Sequence, residues 1–234
     1  MLNQALITSL PFSEKIIYHR EHLNLNSLPW LAKRIRYLNR RNRFLWKIQD
    51  AQRNSTLKPL IHFDSKDVII FSDLDEFPSE NAINQGINYL HEPNTAKLNP
   101  HAYSCDQTFF YYNLDNASSN EKFYGSVITT LDSFRSYLPH KFRSSKNALN
   151  HLSNGGWHFS YFMDNQKILN KIQAIGDVEN LSHFKNISAI DIQNKINKNI
   201  DLFDRKIQLS KNARQHIPEH LLKLLNKYLP LSSQ

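Results

Sequence analysis

The most constraining feature of the chain is the stretch at residues 67–78, where an apolar run passes directly into a cluster of acids. Residues 68–71 are long enough for one buried strand, and Pro78 prevents ladder pairing beyond it. This order places carboxylates at the carboxyl end of a central strand, where open α/β sheets hold their ligands. Asp73 and Asp75 share one face if the strand continues through them.

Two carboxylates on one face repel each other unless a cation lies between them. Mg²⁺ and Mn²⁺ are commonly held by one or two carboxylates together with substrate phosphates. A divalent ion that carries a diphosphate therefore fits the pattern. An acidic pair after a strand is also typical of loops and helix caps, and this stretch alone favours that simpler interpretation.

The composition predicts one folded domain over residues 1–234. Hydrophobic residues make up 40% of the chain, which is enough to bury a core. There are 5 glycines, and neither the Rossmann nor the P-loop fingerprint is present. The single cysteine, Cys105, excludes an internal disulfide and a cysteine-based metal site. Cysteine usage and the lack of a long apolar run predict a cytoplasmic protein.

The net charge of +8 is unevenly distributed along the chain. No acid lies between Glu21 and Asp50, whereas lysines and arginines recur from Lys33 to Lys47. Such a surface attracts anionic lipid, nucleic acid or a sugar nucleotide, although a solvated helix face is the simpler interpretation. Stacking aromatic residues are not interleaved as single-strand binders require, so we expect no nucleic-acid partner. Peripheral contact with the inner face of an anionic membrane stays open.

Hydrophobic periodicity predicts an α/β fold with a mixed central sheet. Apolar runs indicate strands at residues 15–19, 68–71, 102–114, 123–131 and 155–162. A period near 3.6 indicates helices from residue 28 to near Pro59 and at 79–90, 164–175, 190–198 and 218–228. Short helix and loop are expected at 132–154. A polar turn separates the strands at 102–114 and 123–131, so we expect an antiparallel hairpin.

A second distinctive motif is Gly-Gly-Trp-His at residues 155–158. Paired glycines allow the backbone to approach a ligand or a neighbouring strand closely. His158 alternates with Trp157 and Phe159 and therefore faces away from both. A lone histidine in a strand is usually a structural hydrogen-bonding residue, with a ligand or catalytic role as the alternative.

Taken together, these motifs resemble glycosyltransferase family 17. Four blocks carry the resemblance, in the same order as in the family: Gln-Arg-Asn at 52–54, the acidic stretch at 67–78, Phe-Tyr-Gly at 123–125 and the glycine-tryptophan block at 155–161. A weaker fifth block lies at 201–205. The likeness covers about residues 15–229. Family members begin with a further strand-helix-strand segment, so we expect an N-terminally shortened form of the fold.

The resemblance implies a GT-A-like fold and an inverting enzyme that moves a sugar from a UDP-sugar donor to a glycan or glycolipid acceptor. The family's animal member is an N-acetylglucosaminyltransferase, which implies a similar activity here. GT-A enzymes use an Asp-X-Asp element to hold Mn²⁺, or Mg²⁺, on the donor diphosphate. Asp73 and Asp75 match that element. By this likeness Asp75 would bind the ion directly, and Asp73 would bind the ribose or act through water.

The resemblance also implies roles for residues outside the acidic stretch. His158 becomes a candidate third metal ligand or a polar group of the active site. Arg53 and Asn54 would lie near the nucleotide, and Arg143 would neutralise phosphate charge.

An inverting transfer also needs a general base for the acceptor hydroxyl. Glu179 is the first candidate and Asp106 the second. The alternative to an active enzyme is an impaired remnant, or a sugar- or nucleotide-binding protein of the same fold.

Overall fold

The computed structural model of the protein describes residues 13–17, 19, 41–93, 100–174, 187–211 and 213–228. The α-helices there are α1 (Arg41–Asn54), α2 (Glu80–His91), α3 (Leu131–Tyr137), α4 (Pro139–Ser145), α5 (Asn165–Ala174), α6 (Ala189–Asn197) and α7 (Glu219–Tyr228). The strands are β1 (Val68–Phe71), β2 (Glu76–Pro78), β3 (Ala102–Tyr111), β4 (Ala117–Ser118), β5 (Phe123–Thr130), β6 (Asn150–Ser160) and β7 (Leu209–Ser210).

The described strands form one mixed sheet, which confirms the predicted α/β class. Its main path runs β1-β5-β3-β4-β7, and β6 joins β2 to β3. The hairpin of β3 and β5 is antiparallel as predicted, whereas β6 runs parallel to β3. Strand β3 therefore lies between β5 and β6 and forms the centre of the sheet, which agrees with its mostly buried residues.

Four apolar clusters attach helices to this sheet, and one of them packs Leu225 of α7 on Phe110 and Phe159. Helix α2 packs on it through Ala82 and Leu90, and α3 and α4 pack through Phe134 and Phe142. Helices α5 and α6 bury Ile168, Ile172 and Ile192 against the aromatic residues of β3. The apolar positions that recur with a helical period in the sequence are thus the ones that pack in the core.

Most predicted helix boundaries hold because their caps are local. The Ser79 side chain accepts a hydrogen bond from the Ala82 backbone N–H at the start of α2, at 3.2 Å. The Asp164 carboxylate accepts one from the Lys167 backbone N–H at the start of α5, at 2.8 Å. Such caps satisfy backbone donors that a helix leaves unpaired, so sequence alone reveals them.

Three expectations about strands were wrong. Residues 13–15 form a 3₁₀ turn, and Ile16, Ile17 and His19 are not in a strand. Strand β6 begins at Asn150, well before the predicted start, because it pairs with β3 from Tyr103 onward. Strand β1 ends at Phe71 and, among the described residues, pairs with β5 alone, so it is not central there. Residues 28–40 of the predicted first helix lie outside the described residues.

The described helices also bear on membrane association. None of them combines the length and the apolar composition that crossing a bilayer requires.

The second glycine of the Gly-Gly pair is required by the backbone. Gly156 has φ +119°, and a Cβ there would lie 2.0 Å from the Phe77 carbonyl oxygen in β2. The absence of a side chain therefore lets β2 approach β6.

We predict that Gly156→Ala lowers the free energy of unfolding by about 2 kcal/mol or more, because it combines a disfavoured φ with a steric clash. Urea denaturation measures the change. Ser153→Ala, at an exposed position of the same strand, is the control and should be close to neutral. Equal stability of the two variants would contradict this account of the glycine.

The only cysteine provides a probe of the core. Cys105 is fully buried, and burial, with the nearby Glu76 charge, raises the pKa of its thiol to about 12. We predict that iodoacetamide modifies the native protein at pH 8 at least about a hundredfold more slowly than the urea-unfolded chain. A Cys105→Ser/Ser153→Cys variant, with one exposed thiol, should lose this protection. Rapid native labelling would show that the sheet centre opens readily.

Candidate active site at the acidic turn

The acidic stretch forms a tight turn between two strands. After β1 ends, the Glu76 backbone N–H donates to the Asp73 carbonyl at 3.1 Å, and the chain returns as β2. Strand β2 runs antiparallel to β6 with Glu76 opposite His158. The Phe159 backbone N–H also donates to the Asp75 carbonyl at 2.8 Å. The turn, rather than a continuing strand, therefore brings both aspartates beside the glycine-tryptophan block.

Asp73 lies against two arginines. Its carboxylate is 2.6 Å from Arg143 Nη2 and 3.9 Å from Arg53 Nη2. Asn54, the last residue of α1, accepts hydrogen bonds from the His140 backbone N–H at 3.1 Å and pairs with His140 Nδ1 at 2.9 Å. That bond ties α1 to α4. The structure thus brings together three residues predicted from the sequence: Arg53, Asp73 and Arg143. The side-chain oxygen of Asn54 instead forms hydrogen bonds that join α1 to α4.

Asp75 faces a different pair of groups. One carboxylate oxygen is 3.7 Å from His158 Nδ1 and the other is 3.5 Å from Lys171 Nζ in α5. Both distances exceed those of ordinary charged hydrogen bonds. The side chain is 31% exposed. Asp75 is slightly less exposed than Asp73, but its carboxylate is held less tightly, because Asp73 lies 2.6 Å from Arg143 Nη2. The Asp75 carboxylate is therefore the more available of the two to a further ligand.

His158 is buried within an aromatic stack. Its ring is parallel to that of Phe123, with 3.9 Å between centroids, and lies 5.3 Å from that of Phe109. Burial, followed by the charges of Lys146 and Arg143, lowers its pKa to about 3, so the imidazole is neutral near pH 7. Its buried Nδ1 has no hydrogen-bond partner in the part of the chain that the structure describes. A neutral imidazole with an unsatisfied nitrogen facing a carboxylate has the chemistry of a ligand.

Glu76 was given no role from the sequence, yet its carboxylate is completely buried here. It accepts a hydrogen bond from Arg143 Nη1 at 2.5 Å and from the Asp73 backbone N–H at 3.2 Å, and it lies 3.8 Å from Lys146 Nζ. Burial raises its pKa, while Arg143 and Lys146 act in the opposite direction. In the sequence, Glu76 is distinguished only as the third acid of the run. Its side chain faces inward because of the register of β2, which the sequence does not reveal.

Asp106 and Glu179 are the two candidates for the general base. Asp106 lies at an irregularity in β3 where the register to β5 shifts, and its carboxylate is 3.5 Å from Lys122 Nζ. Glu179 lies outside the described residues. The assignment of either residue as general base therefore stays a prediction.

The site fits a divalent ion in a limited way. Within the described residues, no group of three or more His, Cys, Asp or Glu side chains is arranged to hold a metal. Asp75 and the unsatisfied His158 Nδ1 supply two ligand atoms. Mg²⁺ and Mn²⁺ commonly take only one or two protein ligands and complete their shell with water and substrate phosphates. The residues present therefore fit such an ion when a phosphorylated ligand is bound with it.

Cations outnumber carboxylates around the turn. Among the described residues, four basic side chains lie within 4 Å of the three acids: Arg53, Arg143, Lys146 and Lys171 beside Asp73, Asp75 and Glu76. The excess positive charge in a partly buried site favours an anionic ligand.

Fold and site together define an α/β protein with an acidic turn and a cationic lining suited to a phosphorylated ligand. The family model described as Glycosyltransferase family 17 matches residues 17–225, and the chain belongs to that family of glycosyltransferases. Searches of curated proteins and of solved structures gave no match.

The buried imidazole has a consequence for acid stability. Its pKa of about 3 lies below the ordinary value of 6.5, so the unfolded chain binds a proton that the native state excludes. This contribution to stability is present above about pH 6.5 and is lost as pH falls toward 3. We predict that the free energy of unfolding falls less between pH 7 and pH 5 in His158→Phe, which keeps the aromatic stack, than in the wild type.

Urea titrations with a chelator present measure that difference. His62→Gln, at an exposed position, is the control and should follow the wild type. An identical decrease in His158→Phe and the wild type would show that this imidazole is not held neutral by the fold.

Proposed function

We propose that this protein is a metal-dependent inverting glycosyltransferase that moves a sugar from a UDP-sugar to a glycan or glycolipid acceptor. N-acetylglucosamine is the donor sugar that we favour. The observation that carries the proposal is Asp75, partly exposed between Lys171 and a His158 nitrogen that has no hydrogen-bond partner among the described residues, in a chain of a glycosyltransferase family. We place the protein in the cytoplasm, in peripheral contact with anionic membrane.

In this proposal the two aspartates have different tasks. Asp75 and His158 would hold Mn²⁺ or Mg²⁺, which as a Lewis acid would neutralise the departing nucleoside diphosphate. Asp73 orients Arg143 through the 2.6 Å contact, and Asp73 together with Arg53 would reach the ribose or the nucleotide. Arg143 has the planar fork of donors that suits phosphate oxygens.

The acceptor hydroxyl must lose a proton as it attacks from the face opposite the leaving group. Asp106 is partly exposed, and its carboxylate lies 3.5 Å from Lys122 Nζ. Glu179 is the other candidate. Activity measurements on Asp106→Asn and Glu179→Gln decide between them, because only loss of the true base slows transfer without weakening donor binding.

A second candidate function is nucleotide or sugar binding without turnover. The observation that favours it is that Asp73 is already paired with Arg143 and that Asp75 lies near Lys171. A rise in thermal midpoint with UDP and Mn²⁺, combined with no transfer or hydrolysis of any UDP-sugar, would support this alternative.

We predict that the wild type with Mn²⁺ releases UDP from a UDP-sugar, and that Asp75→Asn lowers this rate at least about a hundredfold. The substitution keeps the shape of the side chain and removes the charge that would hold the ion. A coupled assay for UDP release across a panel of UDP-sugars measures the rate.

Glu219→Gln is the matched control. Its carboxylate is 81% exposed and pairs only along α7 with Lys223, so it should retain wild-type activity. Undiminished activity in Asp75→Asn would remove this aspartate from the mechanism. No release from any UDP-sugar by the wild type would count against the enzyme.

A further inference from the structure

Lys146 and Glu76 have no role in the function proposed above, yet both adjoin its site. Lys146 opens the short 3₁₀ turn Lys146–Ala148 that follows α4, three residues after Arg143. We propose that Lys146 and Arg143 together bind the diphosphate of the donor, and that Glu76 is the positioning residue that holds both cations. The inference rests on the proposed function, because it takes a nucleoside diphosphate as the ligand.

The surroundings of Lys146 leave its ammonium group available to bind an anion. Its Nζ lies 3.9 Å from the centroid of the Phe123 ring, on whose plane His158 also stacks. The nearest carboxylate oxygen, on Glu76, is 3.8 Å away, which is too long for a hydrogen bond. The lysine is therefore oriented by an aromatic face and by charge, and neither contact uses its strong hydrogen-bond donors.

Charge effects at Lys146 point the same way. Burial and the neighbouring Arg143 lower its pKa to about 8, whereas the Glu76 charge acts in the opposite direction. A bound anion would reduce the repulsion between Lys146 and Arg143, because it would compensate the charges of both cations. A diphosphate suits the pair, since it offers oxygens to a guanidinium and to an ammonium at once.

Arg143 is held in place from two sides. Its Nη1 meets Glu76 and its Nη2 meets Asp73, so one guanidinium bridges the strand β2 and the turn before it. Two contacts on different nitrogens fix the plane of the group and leave its other N–H donors for a ligand.

Glu76 cannot itself touch the ligand, since its carboxylate is completely buried. Its charge is compensated by the same two cations, and its second oxygen accepts from the Asp73 backbone. It therefore acts through Arg143, Lys146 and the turn, which is why we class it as a positioning residue.

Titration calorimetry with UDP in the presence of Mn²⁺ tests the proposal on the full chain. Lys146→Met, which keeps the length of the side chain and removes its charge, should raise the Kd for UDP by about tenfold or more. Lys146→Arg, which keeps the charge, should stay within about threefold of the wild type. Glu80→Gln, exposed at the start of α2, is the control for acid removal and should leave the Kd unchanged.

Glu76→Gln examines positioning. It should also raise the Kd by about tenfold, and the Glu76→Gln/Lys146→Met double variant should weaken binding by less than the product of the single effects, because the two residues act together. In the UDP-release assay Lys146→Met should raise KM for the donor by a larger factor than it lowers kcat, which a merely structural defect would not select. If Glu76→Gln fails to fold, the contrast between Lys146→Met and Lys146→Arg decides alone.

The outcomes separate this inference from the proposed function. If the wild type binds UDP and Lys146→Met binds it equally well, the inference is overturned while the glycosyltransferase proposal stands. If Lys146→Arg is as impaired as Lys146→Met, charge is not what the site uses, and the inference fails as well. If the wild type neither binds UDP nor releases it from any UDP-sugar, the proposed function falls and this inference with it.

Discussion

The candidate site depends on one buried ion pair, between Glu76 and Arg143. Removing a carboxylate from water costs several kcal/mol, and the cost is offset here because Arg143 and Lys146 surround the charge and a backbone N–H completes its hydrogen bonds. The same arginine reaches Asp73, so the pair fixes both the shape of the acidic turn and the position of its first aspartate. Asp75 is thereby left to face His158 and Lys171.

The sequence blocks that resemble the family have packing roles as well as chemical ones. Gly156 allows β2 to lie beside β6, and Phe123 supplies the face on which His158 stacks. Gln107 occupies the space that a side chain at Gly125 would need, with its Oε1 at 1.7 Å from the position of a Cβ. The glycines of these blocks therefore lie where the fold has no room for a side chain. The position of Asp75 beside His158 depends on the close approach of β2 to β6.

Local features of the fold were predictable because their causes are local. The Ser79 and Asp164 caps, the apolar run of β1 and the hairpin of β3 and β5 each follow from residues close in sequence. The early start of β6 was not predictable from the sequence, because its first residues are polar and are ordered by pairing with β3. Residues 13–15 form a 3₁₀ turn and Ile16 and Ile17 are not in a strand, so a short apolar run does not by itself make one.

By itself the sequence determined the class of fold and the family, because these follow from hydrophobic period and from short motifs in a fixed order. It also singled out Asp73 and Asp75 as candidate site residues. It did not determine that Asp73 is paired with Arg143, that Asp75 faces His158 or that Glu76 is buried. Those facts arise from the register of β2 on β6 and from the packing of α4, which join residues far apart in the chain. Electrostatic interactions depend on distance in space and on burial, and only the tertiary structure sets either one.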